Sequence, residues 1–179
     1  EIIPLYITFD GETYQKDYSE IDRDLFYKKM VEEGCFPKTS LPSVDDFLQR
    51  FQAAYDAGDS VICLCITTSL SGSFNSAMTA SQIFLEDHPD ALLKVFNSWQ
   101  NTVGQALMVR EFLRMRDDGL SFEEMCSKID GFKATSQIIF TTRSVSKFST
   151  QATNYHPNDG TTGNSRAGEH TRRQLRQFR

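Results

Sequence analysis

The apolar run Val61-Ile62-Cys63-Leu64-Cys65-Ile66, followed at once by Thr67-Thr68-Ser69-Leu70-Ser71-Gly72-Ser73-Phe74-Asn75-Ser76-Ala77, constrains this chain more than any other segment. A short apolar run that ends in small hydroxylated residues and glycine, then passes into a helical pattern, reads as a buried parallel strand, a turn and a helix N-terminus. In open α/β sheets the loops at the carboxyl ends of parallel strands face a crevice. The first amides of the following helix lack intrahelical partners and favour an anionic oxygen. Ser69, Ser71 and Ser73 add hydroxyl donors to that turn.

A second segment has the same chemistry. Pro37-Lys38-Thr39-Ser40-Leu41-Pro42-Ser43 places hydroxyls between two prolines, which stiffen the backbone, and reads as a loop. From Ser43, Val44, Phe47, Leu48, Phe51 and Tyr55 follow helical spacing, with Asp46 at the capping-box position and Gly58 as the stop. Upstream, Ile2 to Phe9 reads as a strand, and Asp22 caps a helix that runs through Glu33 to Gly34. Downstream, the spacing predicts a helix from Ser73 to Glu86 closed by His88-Pro89, a strand over Leu92 to Phe96 and a helix from Thr102 to Asp118 ending at Gly119. Ser121 with Glu124 forms a further capping box, with Phe122, Met125 and Ile129 on one helix face, and Ser136 to Thr142 reads as a fourth strand. Strands alternating with helices predict an α/β fold: a three-layer α/β/α domain around a mostly parallel sheet covered on both faces.

These segments, in this order, resemble the DegV family of bacterial lipid-binding proteins. The matching residues are Lys38-Thr39-Ser40-Leu41-Pro42, Ser69-Leu70-Ser71-Gly72-Ser73-Phe74-Asn75-Ser76-Ala77, and Asn97-Ser98 with Thr102-Val103-Gly104-Gln105-Ala106. The opening Pro4 to Tyr14 also fits, and the resemblance extends from Ile2 to about Thr141. It implies a carrier, not an enzyme: a long-chain fatty acid held between two domains, gripped by its carboxylate and, in some members, presented to a separate fatty acid kinase. It further implies that Thr39 and Ser71 bind the carboxylate, with Ser69, Gly72, Asn97, Ser98 and Thr102 around them. A carboxylate taken out of water needs several donors. Hydroxyls and helix-terminal amides supply them without a fixed positive charge.

The chain departs from the family pattern in places. Asn97 stands for a usual aspartate and Ala106 for a usual glycine. Residues 1–142 are expected to be the N-terminal lipid-binding domain without its first strand and helix, and residues 143–179 a divergent tail in place of the family's second domain. Gln151 to Arg179 has almost no apolar periodicity and carries five Arg against two acidic residues, while the chain as a whole is −5. That composition predicts a disordered, solvated basic tail, and the abrupt change predicts a truncated gene or altered reading frame. The tail lacks interleaved aromatics and any nucleic-acid motif, so no nucleic-acid partner is expected. An acyl-facing surface left without its second wall predicts self-association.

At 179 residues, 39% hydrophobic and 24% charged, the chain is long enough for one domain with a substantial core. No run of about 18 apolar residues predicts a membrane span. Glu1-Ile2-Ile3-Pro4 lacks the features of a signal peptide, so the expected location is cytoplasmic. Cys63 and Cys65 lie two apart on a strand and read as buried small hydrophobes. Cys35 lies on a loop, and no metal-ligand spacing or cofactor motif occurs.

Each candidate has a plainer reading beside the functional one. Ser71 caps the helix or contacts ligand, Thr39 is an ordinary loop threonine or a head-group donor, and Lys38 is a solvated lysine or an anion ligand. Asn97 and Ser98 line the crevice or end a strand. Thr102 and Gly104 serve helix entry and close packing or touch ligand. Trp99 is a wall of the site or an exposed turn residue. A serine hydrolase is the distant alternative: Gly-x-Ser-x-Gly is absent, and two of the three histidines, His156 and His170, are in the tail. A non-binding remnant or interaction protein is the nearer one.

Overall fold

Helix α2, Val44–Asp56, shows how local chemistry sets an element and its packing. Ser43 Oγ accepts the Asp46 N–H at 3.1 Å while Asp46 Oδ2 accepts the Ser43 N–H at 2.9 Å, a complete capping box. The helix ends where Gly58 takes φ 76° and Asp59 N–H reaches the Ala54 carbonyl at 2.9 Å. Its apolar stripe buries Phe47 and Phe51, the latter 1% exposed. A computed structural model of the chain describes residues 1–134.

The described elements run β1 (Tyr6–Thr8), β2 (Gln15–Lys16), α1 (Arg23–Val31), β3 (Lys38–Ser40), α2, β4 (Val61–Cys65), α3 (Ser73–Asp87), β5 (Leu93–Asn97), α4 (Thr102–Asp117) and α5 (Phe122–Ala134). Strands β4 and β5 pair in parallel, with Val61 opposite Leu93 and Cys65 opposite Asn97. Because side chains alternate along a strand, this pair feeds two cores. On one face Cys65, Leu93 and Val95 pack with Phe47 and Phe51 of α2 and with Ala77, Ala80 and Phe84 of α3. On the other, Phe96, Ile62 and Leu64 pack with Met108, Phe112 and Met115 of α4 and Ile129 of α5. This is the expected three-layer α/β/α arrangement. Ala77 and Ala80 are fully buried, and their small side chains let α3 lie close to its neighbours.

Among the described residues parallel pairing is confined to β4 and β5. The N-terminal strands form a separate antiparallel sheet of order β2-β1-β3. The predicted strand over Ile2 to Phe9 contracts to Tyr6–Thr8, and the predicted loop at 37–43 contains β3, with Ile7 opposite Thr39. Pro37 and Pro42 lie outside the ladder and bound the strand, since proline has no N–H to donate within it. The sheet is tied to α2 by Asp46, which accepts Tyr6 OH at 2.9 Å and Lys16 Nζ at 3.2 Å. Burial opposes the charge on Asp46, but hydrogen bonds from Ser43, Tyr6 and Lys16 outweigh it and hold the carboxyl at about 2.

The predicted caps at Asp22 and Ser121 are present. Asp22 accepts the Leu25 N–H at 2.8 Å, and Ser121 with Glu124 closes a reciprocal box at 2.8 and 3.2 Å. Cys63 and Cys65 face the same core with Sγ atoms 3.9 Å apart. Hydrogen bonding to Cys63 and burial push the Cys65 thiol well above its usual value, which suits a packing role. The predicted strand over 136–142 and the whole tail lie outside the described residues.

Candidate functional site

The chain leaves β4 into a turn built on Thr67. Thr67 is buried; its N–H donates to the Gln100 carbonyl at 2.9 Å, and its own carbonyl accepts the N–H groups of Leu70 and Ser71 at 2.9 and 3.2 Å. Gly72 then occupies the N-cap of α3, where no side chain caps the first turn. Ser71 Oγ accepts the Ser73 N–H at 3.2 Å and shares a 2.7 Å hydrogen bond with Ser73 Oγ. With the Ser73 hydroxyl donating, Ser71 accepts twice and its own proton is left to give to an acceptor. An uncapped helix start and a donor hydroxyl beside it form a place for an anionic oxygen. The plainer expectation, that Ser71 caps α3, is met in part: it serves the Ser73 amide and not the deeper amides of the turn.

The adjoining turn after β5 is bound to the first one. Asn97 Nδ2 donates to Thr68 Oγ1 at 3.0 Å, and Asn97 Oδ1 accepts the Trp99 N–H at 3.0 Å. Ser98 N–H reaches the Cys65 carbonyl at 3.0 Å, and its hydroxyl, fully buried, bonds to Gln100 on both the N–H and C=O sides. Asn97 and Ser98 therefore hold the two strand ends together. Trp99 and Thr102 take φ of 54° and 42°. Such left-handed geometry is unfavourable for non-glycine residues, most of all for a β-branched one, and costs roughly 1–3 kcal/mol each. Trp99 is 59% exposed, so it is an exposed turn residue at the rim.

The third segment reaches the others through one contact. A Cβ built on Gly72 would lie 3.2 Å from Leu41 Cδ2, so the residue following Ser71 touches the segment that follows Thr39. Thr39 and Lys38 sit exposed on β3, and Ser69 is exposed in the turn. Gly104 lies in close approach to Gln100: a Cβ there would stand 2.2 Å from Gln100 Oε1 and displace that amide. The exposed apolar side chains Leu41, Leu70, Trp99 and Val103 belong to these same segments. Two cavities among the described residues, of about 110 and 10 Å³, are lined by none of the predicted site residues. Thr39, Ser69, Leu70 and Trp99 are exposed, so the candidate residues lie at an open surface.

Thr67, Thr68, Gln100 and Leu41 are the participants that sequence reasoning did not single out. Thr67 and Thr68 stood in the hydroxyl run itself, which was the available signal. Nothing local marks the ties of Gln100 to Thr67 and of Leu41 to Gly72, which span 33 and 31 positions in sequence.

A family model described as an uncharacterised protein of the DegV family matches residues 1–149. The chain belongs to the DegV family. A DegV domain-containing protein of Streptococcus gordonii is 32% identical over 140 residues, covering 78% of this chain and 48% of that protein. The crystal structure of a stearic acid-binding protein from Eubacterium ventriosum is 51% identical and superposes with a TM-score of 0.68, covering 72% of this chain and 44% of that one. The Streptococcus pneumoniae fatty acid kinase (Fak) B3 protein, solved loaded with linoleic acid, is 33% identical with a TM-score of 0.65, covering 74% and 45%. The chain spans about half the length of these relatives. Among the described residues no helix is long and apolar enough to cross a membrane, and no group of three or more His, Cys, Asp or Glu is placed to hold a metal ion.

Proposed function

We propose that this chain is a DegV-family carrier domain that binds a long-chain fatty acid, with the carboxylate held by Thr39 and Ser71 at the crevice. The observation that carries this reading is the meeting of the two hydroxyl-bearing segments through Leu41 and Gly72, at an α3 N-terminus that no side chain caps. Gly72 admits the close approach, Asn97 and Ser98 brace the strand ends, and Ser69 and Thr102 stand at the rim. A hydrogen bond to a charged group is worth about 1.5–3 kcal/mol, so two hydroxyls and a helix terminus offset much of the desolvation of one carboxylate. The exposed apolar Leu41, Leu70, Trp99 and Val103 offer the methylene chain a start, at roughly 0.8 kcal/mol per buried CH₂. Residues 1–142 act as the lipid-binding unit, and presentation to a fatty acid kinase is the use that the Fak B3 relative favours.

The carrier reading is also favoured over hydrolysis by geometry. His88 caps the far end of α3, a 15-residue helix about 22 Å long, where its ring packs between Tyr55 and Phe84 and bonds to Gln52. Among the described residues, then, the one histidine is half-buried between aromatic rings and remote from Ser71. A second reading, an interaction surface, is favoured by α1, which buries none of its residues and leaves Leu25, Tyr27, Met30 and Val31 exposed.

The test is native mass spectrometry of the 179-residue chain, with denaturing extraction of copurified lipid and titration with oleate, beside a Thr39→Ala/Ser71→Ala double variant. Bound fatty acid that is lost in the variant is the expected result. A wild-type chain that neither carries lipid nor takes up oleate sinks the proposal.

A further inference from the structure

Gln100 is 2% exposed, and its backbone is pinned from both sides. Its carbonyl accepts the Thr67 N–H at 2.9 Å and the Ser98 hydroxyl at 3.2 Å, and its N–H donates to Ser98 Oγ at 3.1 Å. The residue thus joins the turn that carries Ser71 to the turn that opens α4. Its side chain lies against the first turn of α4 at Gly104: a Cβ there would fall 2.2 Å from Oε1 and 3.0 Å from Cδ, so any larger residue would displace the amide. Yet Nε2, shielded from solvent, is the one buried side-chain nitrogen or oxygen among the described residues that has no hydrogen-bond partner.

A buried amide nitrogen without an acceptor is destabilising, and native proteins satisfy nearly all such groups. Leucine or methionine would fill the same volume without that penalty. Two chain features thus favour a polar group that packing alone does not need: glycine at 104, and an amide donor at the base of the joined turns. Of the neighbouring amides, Asn97 is committed on both sides, donating to Thr68 and accepting the Trp99 N–H, while Asn101 Oδ1 accepts the Thr102 N–H. The Gln100 donor is not committed.

We propose that Gln100 Nε2 is a third donor to the carboxylate of the bound fatty acid, complementing the hydroxyls of Thr39 and Ser71, with Gly104 making room for it. This inference rests on the fatty-acid reading. The acceptor comes with the ligand, so the empty protein bears an unsatisfied donor that binding relieves. Trp99 and Thr102, on either side of Gln100, hold left-handed backbone at φ 54° and 42°.

The experiment compares the wild-type 179-residue chain, Gln100→Met, Gly104→Ala and Thr39→Ala/Ser71→Ala by oleate titration calorimetry and by thermal melting without ligand. Methionine keeps the length and removes the donor. The expected result for Gln100→Met is oleate binding weakened about tenfold or more, with a melting temperature unchanged or raised by about 2–4 °C. Gly104→Ala, which displaces the amide, is expected to weaken binding in the same direction. If Gln100→Met binds like wild type while Thr39→Ala/Ser71→Ala does not bind, Gln100 has no ligand role and the carboxylate site stands. Weaker binding together with a lowered melting temperature marks a purely structural glutamine and also overturns the inference. A wild-type chain that takes up no oleate overturns both readings.

Discussion

The β4–β5 body and the N-terminal β1–β3 sheet with α1 are held together by different forces. The body has a core on each face of the parallel pair, with Phe51, Met108 and Ile129 essentially out of water. Helix α1 buries no residue and leaves Val31 79% exposed, while the sheet beside it is anchored to α2 by Tyr6 and Lys16 on Asp46. Apolar burial does not titrate, whereas the Asp46 anchor is local and does. The candidate residues stand on different supports: Ser71, Asn97 and Ser98 on the turns of the buried body, Thr39 on the antiparallel sheet.

The largest effect is expected in the body. Phe51→Ala should cost about 3–5 kcal/mol in urea unfolding, since the ring touches both Phe47 and Phe84 in a closed core. A cost under 1 kcal/mol would mean that the two regions do not differ as described. Next come the crevice hydroxyls: Thr39→Ala and Ser71→Ala should each weaken oleate binding roughly tenfold, with stability changed by no more than about 0.5 kcal/mol at the exposed Thr39. Equal effects on binding would show that both sides of the crevice grip the ligand.

The anchor should yield a smaller, pH-dependent change. Folding lowers the Asp46 carboxyl from 3.8 to about 2, so the folded state binds this proton less readily than the unfolded one. Its contribution to stability is then complete above about pH 4 and is lost as the pH falls toward about 2. Asp46→Ala should lower stability by about 1–2 kcal/mol at neutral pH through the lost cap and ties, and should flatten the stability profile over that window. An unchanged profile in the variant would remove Asp46 as the anchor. Smallest of all, Val31→Ser on α1 should move stability by less than about 0.5 kcal/mol while reducing any self-association seen by light scattering.

Much of the body was legible because its signals are local. The stripe from Val44 to Tyr55, the capping boxes at Ser43 and Ser121 and the glycine stops at 58 and 119 each arise within one or two turns of chain. Ser71 was legible for the same reason: it stands on a strand-to-helix turn whose chemistry is written in adjacent residues. The segment of Thr39 reads locally as a loop because it is flanked by prolines, and its β-structure comes from Tyr6, Ile7 and Thr8, some thirty positions upstream. The antiparallel setting of that strand was hidden likewise, since alternating strands and helices imply parallel pairing only where the strands share one sheet.

By itself, then, the sequence determined the helices, the β4 and β5 strands of the body and the hydroxyl-bearing turn after β4, because caps, periodicity and backbone preference act between near neighbours; the short strands β2 and β3 it did not. Only the tertiary structure decided that Leu41 closes on Gly72, that Thr67 is bound to Gln100, and that Gln100 Nε2 is buried without an acceptor. Those relations depend on how distant segments pack, and packing selects neighbours by shape and exclusion of water, which no short stretch of sequence records.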